Sequence, residues 1–231
     1  MLRAYLFLLI YVPFTIIMSL CAIVGSLFDG SGRAAHRCAR FWGRSGLLLG
    51  RVKVAVTGLD NIPAGQPLIF MGNHQGNFDI LALLAVVPVQ FAWIAKEELF
   101  RIPVFGHSMR RAGYIPLDRS DGRRALKSMA NAADKISGGS SVVIFPEGTR
   151  SKDGALLPFK KGGFILATMA GVPIVPFTIN GSLKINPCTR IALNPGTLTI
   201  SFSAPIPTTG SVGREELQAL VRSAIAAKLE Q

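Results

Sequence analysis

The sequence predicts an α/β domain, a mixed and partly parallel sheet flanked by helices, preceded by an amino-terminal membrane-associated helical segment. Three observations predict it. An uncharged run fills Ala4 to Phe28. From Arg51 onward, short runs rich in Val, Ile and Phe alternate with helical patterns. The composition is 49% hydrophobic and only 16% charged, with a mean hydropathy of +0.40, high for a domain that meets only water. The natural division is residues 1–50 for membrane-anchoring helices and 51–231 for the domain that carries the chemistry.

The first element, AYLFLLIYVPFTIIMSLCAIVGSLF, reaches the roughly 20 residues that cross a hydrocarbon core as a helix. It is too long for the apolar region of a cleavable signal peptide. Pro13 stands in its middle, where a kink is expected. The second element is a helix on which Arg33, Arg37, Arg40 and Arg44 share one face, with Trp42 as an interfacial anchor. A basic amphipathic helix of this kind suits an anionic membrane surface. A solvated charged face is the alternative, and it leaves the adjoining apolar run unexplained. Two arrangements fit: a bilayer-spanning first helix with the rest of the chain in the cytoplasm, or a hairpin of both helices within one leaflet.

In the second domain, strands are predicted at Val52–Val56, Pro67–Met71, Phe91–Ile94, Tyr114–Leu117, Ser141–Phe145, Ile174–Ile179 and Leu198–Phe202. Helices are predicted at Asp79–Val87, Arg123–Ile136, Phe164–Ala170 and Glu215–Leu229. Gly58–Gln66 and Pro205–Gly213 read as turn-rich connectors. Alternation of this kind buries the sheet between helices.

The chain carries 25 Lys+Arg against 13 Asp+Glu, a net charge of +12. Nucleic acid, anionic lipid and anionic small molecules all suit such a balance. Nucleic acid is set aside, because the arginine stripe adjoins an apolar segment and no basic-aromatic binding pattern occurs. Cys21, Cys38 and Cys188 are isolated, and His36, His74 and His107 stand far apart. Neither a disulfide framework nor a metal site is expected.

The stretch with chemical content is Asn73-His74-Gln75-Gly76-Asn77-Phe78-Asp79, placed between a predicted strand and a predicted helix. On one continuous helix a spacing of five sets two side chains about 140° apart. A tight turn through Gly76 and Asn77, with Asp79 in the first helical turn, brings the carboxylate to the imidazole. The aspartate would then fix the tautomer and leave the other ring nitrogen as general base. A helix-capping aspartate beside an ordinary buried histidine satisfies the same spacing.

Three more blocks follow in order. They are Lys96-Glu97-Glu98-Leu99 with Gly113-Tyr114-Ile115-Pro116-Leu117-Asp118-Arg119, then Phe145-Pro146-Glu147-Gly148-Thr149-Arg150-Ser151, then Val172-Pro173-Ile174-Val175-Pro176-Phe177. With these, the sequence resembles the lysophosphatidic acid acyltransferase family, also called 1-acylglycerol-3-phosphate acyltransferases. The resemblance implies a layered glycerolipid-acyltransferase fold with His74 as the base that deprotonates an acceptor hydroxyl and Asp79 as its orienting partner. It implies acceptor binding by Lys96, Arg119, Glu147, Gly148, Thr149 and Arg150. Charge chemistry agrees, since Arg offers a phosphate two parallel hydrogen bonds and Lys a point charge. Glu147 is expected to hold the Arg150 guanidinium. Lys160-Lys161-Gly162-Gly163 matches no family block, yet two lysines before a helix suit an anion.

The reaction implied is acyl transfer from acyl-CoA or acyl-ACP (acyl carrier protein) to the sn-2 hydroxyl of 1-acylglycerol-3-phosphate, with no cofactor beyond the donor. No Gly-x-Ser-x-Gly elbow offers a nucleophile, so direct transfer is expected, with a backbone N–H after His74 facing the oxyanion. The expected site of action is the inner face of the cell membrane. Rival readings are an acyltransferase for lyso-ornithine lipid or a larger lysophospholipid, and a non-catalytic membrane-surface binding protein.

Overall fold

The computed structural model describes residues 1–117, 122–209 and 213–230, with residues 122–127 described by their backbone alone. Helix α1 (Leu2–Phe28) runs unbroken through Pro13 and turns at Asp29 into α2 (Arg33–Gly50). The turn is held by Asp29, whose carboxylate accepts the Ser31 hydroxyl and amide and the Ala34 amide in the first turn of α2. Those bonds, led by the Ser31 hydroxyl, lower its pKa to about 2.

The two helices form a hairpin closed by polar contacts. Arg3 donates to the Gly50 carbonyl, the Tyr11 hydroxyl to the Trp42 carbonyl, and the Trp42 indole N–H to Thr15 Oγ1. Trp42 therefore faces α1 and stacks on Tyr11, where an interfacial anchor is expected from sequence. Gly43 and Gly46 let α2 lie directly on α3 (Phe78–Val86): a Cβ on Gly43 would stand 2.8 Å from the Leu81 carbonyl oxygen. Arg33, Arg37 and Arg44 are exposed, while Arg40 is half-buried.

All seven predicted strands are present: β1 (Val52–Thr57), β2 (Ile69–Gly72), β3 (Phe91–Lys96), β4 (Ile115–Leu117), β5 (Ser141–Ile144), β6 (Ile174–Asn180) and β7 (Gly196–Phe202). They form one sheet in the order β1-β7-β6-β2-β5-β3-β4. Every neighbouring pair is parallel except β6 with β7. The central strands β2, β5 and β6 are buried at every position, as expected of a sheet covered on both faces. Pro116 lies in the edge strand β4, where a missing N–H leaves no internal ladder bond open.

Helices α4 (Phe105–Arg111), α5 (Gly122–Ser137), α6 (Lys161–Ala170), α7 (Ser182–Ile185) and α8 (Arg214–Ala226) complete the layers. The sheet topology fixes the site. Strands β2, β5 and β3 are neighbours running the same way, so the segments after Gly72, Ile144 and Lys96 leave the sheet along one edge. Open α/β sheets place ligands outside such carboxyl ends.

Candidate active site

The chain leaves β2 at Gly72, and Asn73 immediately anchors it. Its side-chain amide donates to the Ile179 carbonyl at 2.8 Å and accepts the Ile179 amide at 2.7 Å, acting as an extra rung against β6. His74 follows, and the chain turns through Gly76 into α3. A Cβ on Gly76 would stand 2.8 Å from the Asn186 carbonyl oxygen, so the turn closes only with glycine there. Asp79 thereby falls in the first turn of α3, fully buried.

The expected pairing forms. His74 Nδ1 lies 2.7 Å from Asp79 Oδ2, which also accepts the Gln75 amide at 2.8 Å and the Gly76 amide at 2.9 Å. Three nitrogens thus converge on one carboxylate oxygen in the first turn of α3. The imidazole stacks on Phe145, which stacks in turn on Trp93. Of the amides in the turn after His74, those of Gln75 and Gly76 are committed to Asp79 and do not face an oxyanion.

The segment after β5 grips the main chain of His74 from both sides. Glu147 Oε1 accepts the His74 amide at 2.8 Å, and the Ser151 amide donates to the His74 carbonyl at 2.8 Å. Glu147 Oε2 accepts the Leu157 amide at 2.9 Å. Glu147 is 1% exposed, with both oxygens turned inward onto backbone amides. It does not pair with Arg150, whose guanidinium donates instead to Asn77 Oδ1 inside the His74–Asp79 turn. Asn77 is held in turn by Asn186. Burial pushes the Glu147 carboxyl above its ordinary pKa, against the lowering effect of its two amide donors.

His74 stands at the head of a cavity of about 700 Å³. Its wall is shared between Met18 and Ala22 of α1, Cys38 and Trp42 of α2, Met109 of α4 and Leu166 of α6. The volume falls within the roughly 300–1,000 Å³ usual for small-molecule sites. Lys96, Gly148, Thr149 and Arg150 also line it, as does Lys160, while Glu147 does not. Among the described residues, no carboxylate pairs with Lys96, Arg150 or Lys160. Arg119 lies outside the described residues. The arrangement offers an oriented imidazole, an apolar chamber and a cationic rim. Sequence reasoning missed Asn77 and Asn186, because an asparagine inside a turn carries no signal of the side chain it holds.

Residues 53–180 match the model of a protein family described as Acyltransferase. Over 183 residues the chain is 39% identical to the chloroplastic 1-acyl-sn-glycerol-3-phosphate acyltransferase BAT2 of Brassica napus, covering 78% of this chain and 53% of that protein. Over 160 residues it is 34% identical to 1-acyl-sn-glycerol-3-phosphate acyltransferase alpha of Homo sapiens, covering 69% and 56%. The chain thus spans about half the length of these curated relatives. The crystal structure of the 1-acyl-sn-glycerophosphate acyltransferase PlsC from Thermotoga maritima superposes with a TM-score of 0.87 at 28% identity, over 99% of this chain and 93% of that one.

Proposed function

The chain belongs to the acyltransferase family, and from that premise we propose that it moves a fatty acyl group from an acyl thioester to the sn-2 hydroxyl of 1-acylglycerol-3-phosphate, giving phosphatidic acid. The observation that carries this reading is the 2.7 Å pair of His74 Nδ1 and Asp79 Oδ2 at the head of an apolar cavity with a cationic rim.

Asp79 holds Nδ1, which leaves Nε2 to take the proton of the acceptor hydroxyl. The oxygen attacks the thioester carbonyl carbon to form a tetrahedral intermediate. Its collapse breaks the C–S bond, and the imidazolium returns the proton to the departing thiolate. One ester bond replaces one thioester bond, and the hydroxyl proton ends on the thiol. The acyl chain occupies the cavity. Lys96, Arg150 and Lys160 take the acceptor phosphate beside Gly148 and Thr149, with Arg119 joining them as the family resemblance implies. Glu147 acts on the main chain of His74 and not on the substrate. The donor is acyl-CoA or acyl carrier protein, both anionic and suited to a chain of net charge +12.

The enzyme works at the inner face of the cell membrane, with α1 and α2 as a hairpin within one leaflet. Two observations support the hairpin within a leaflet. Phe7 of α1 meets Phe78 at the start of α3, and α1 also packs against α4, so the helix lies along the domain and does not leave it. Its outward residues, among them Leu9, Ile10, Ile17, Leu27 and Phe28, are exposed and apolar.

A matrix of purified protein against lysophosphatidic acid and other lyso-lipids, each with acyl-CoA and acyl carrier protein donors, tests the assignment. Transfer to the phosphate monoester above all other acceptors, lost in His74→Ala, is the expected result. Equal transfer to zwitterionic acceptors would sink the choice of acceptor.

A further inference from the structure

The segment that backs the active site has no regular structure of its own. Residues 155–160 belong to no helix or strand, yet Leu157 supplies the amide that Glu147 Oε2 accepts. The far side of this segment is held by one residue of the carboxyl-terminal helix. Arg222 in α8 donates through Nη1 to the Leu157 carbonyl at 2.8 Å and through Nη2 to the Leu156 carbonyl at 3.1 Å. Its guanidinium also lies over the Phe159 ring, 5.4 Å from the centroid. Both arms of the fork and its flat face are therefore spent on one short stretch of chain.

The Leu156 carbonyl and the Leu157 amide are the two ends of a single peptide group. A cation on the oxygen of a peptide polarises its N–H, and linked hydrogen bonds strengthen one another in a low-dielectric interior. The N–H so polarised points at a buried carboxylate, whose other oxygen accepts the amide of His74 at 2.8 Å. The relay runs from Arg222 to the 156–157 peptide, to Glu147, to the backbone of His74. Its two charged members, Arg222 and Glu147, are opposite in sign, and every link is within hydrogen-bond distance. Burial opposes the charge on Glu147, so the strength of each donor to it matters.

We propose that Arg222 is a positioning residue for acyl transfer: through the 156–157 peptide and Glu147 it fixes the height of His74 at the head of the cavity. This rests on the reading of His74 as general base. Arg222 lies outside residues 53–180, so it belongs to none of the sequence blocks that carry the chemistry.

The test is a double-mutant cycle on the full chain, with kcat and both KM values measured well below the melting temperature of each variant. Arg222→Ala should lower kcat by roughly tenfold, the loss expected when a charged group's hydrogen bonds are removed, while both KM values stay within about twofold. Arg222→Lys, which still reaches one carbonyl, should recover part of that loss. Added guanidinium should raise kcat of Arg222→Ala and leave His74→Ala inactive. Combining Arg222→Ala with Glu147→Gln should cost little more than Glu147→Gln alone, because both act along one path. Should Arg222→Ala fail to fold, Arg222→Lys carries the same cycle. Wild-type kcat in a folded Arg222 variant, or losses that multiply in the double variant, would overturn the relay. Wild-type turnover in His74→Ala would instead overturn the reading of the base and leave the relay without a target.

Discussion

The imidazole of His74 lies flat on the ring of Phe145, with centroids 3.9 Å apart and planes 9° from parallel. Asp79 fixes where Nδ1 points, and Phe145 fixes the plane in which the ring can turn. An aromatic face also stabilises a cation laid against it, which is what the imidazole becomes once it has taken a proton. Phe145→Leu should keep the fold and lower kcat by roughly ten- to hundredfold through misplacement of the base. Steady-state kinetics at saturating donor and acceptor check this. An unchanged kcat would mean that Asp79 alone orients the ring.

Removing the base itself should cost more. His74→Ala is expected to lower kcat by about 10² to 10⁴. Asp79→Asn should approach that loss and also lower the melting temperature, since Oδ2 accepts the Gln75 and Gly76 amides as well as the histidine. Single-turnover transfer from a labelled thioester separates the chemical step from product release.

Glu147 and Arg150 belong to one sequence block but should fail in different ways. Glu147→Gln keeps the shape and removes the charge that accepts the His74 and Leu157 amides, so kcat should fall about tenfold with acceptor KM little changed. Arg150→Ala should raise acceptor KM about tenfold or more, with the smaller effect on kcat. The same KM response in both variants would place Glu147 back on the substrate.

His36 of α2 gives the hairpin an acid limit. It is 4% exposed, neither ring nitrogen has a hydrogen-bond partner among the described residues, and its ring meets the face of Phe91 edge-on. Burial first, then the charge of Arg40, lowers its pKa from 6.5 to about 4. Between those values the unfolded chain binds more protons than the folded one, so stability falls as pH drops from 6.5 towards 4. The full loss is roughly 3 kcal/mol, because each tenfold weakening of proton binding is worth about 1.4 kcal/mol. Thermal melts at pH 7.5 and 4.5 should show a drop that shrinks in His36→Leu.

Gly46 sets how closely the hairpin docks. A Cβ there would fall on the Tyr11 hydroxyl and stand 2.8 Å from Leu81 Cδ1. Gly46→Val should lift α2 from α3 and open the shared wall of the cavity. Transfer of long acyl chains should then fall further than transfer of short ones. A uniform loss across chain lengths would separate docking from the cavity.

Much of this is legible in the residues. The seven strands stand out because central strands of a covered sheet are built on apolar runs, as in VVI of β5 and IVPF of β6. The His74–Asp79 pair is legible because its spacing falls between a strand and a helix. Helices α4 and α7 are not, since seven and four residues are too few to display a helical period. The target of Glu147 is also hidden. Its partners are backbone amides, which every residue except proline possesses, and one of them is 73 positions away. Trp42 misleads for a related reason. An indole next to arginines suits an interface, but across the hairpin Thr15 accepts its N–H and Tyr11 stacks on its ring.

The cavity has no wall of its own on one side; α1 and α2 are that wall. If those helices lie among lipids, the acceptor reaches His74 by sliding sideways within a two-dimensional film and never crosses water. The quantity that sets turnover is then its mole fraction in the bilayer, not its amount per litre. Diluting vesicles with buffer would leave the rate per enzyme almost unchanged, whereas diluting the acceptor with inert phospholipid would lower it in proportion.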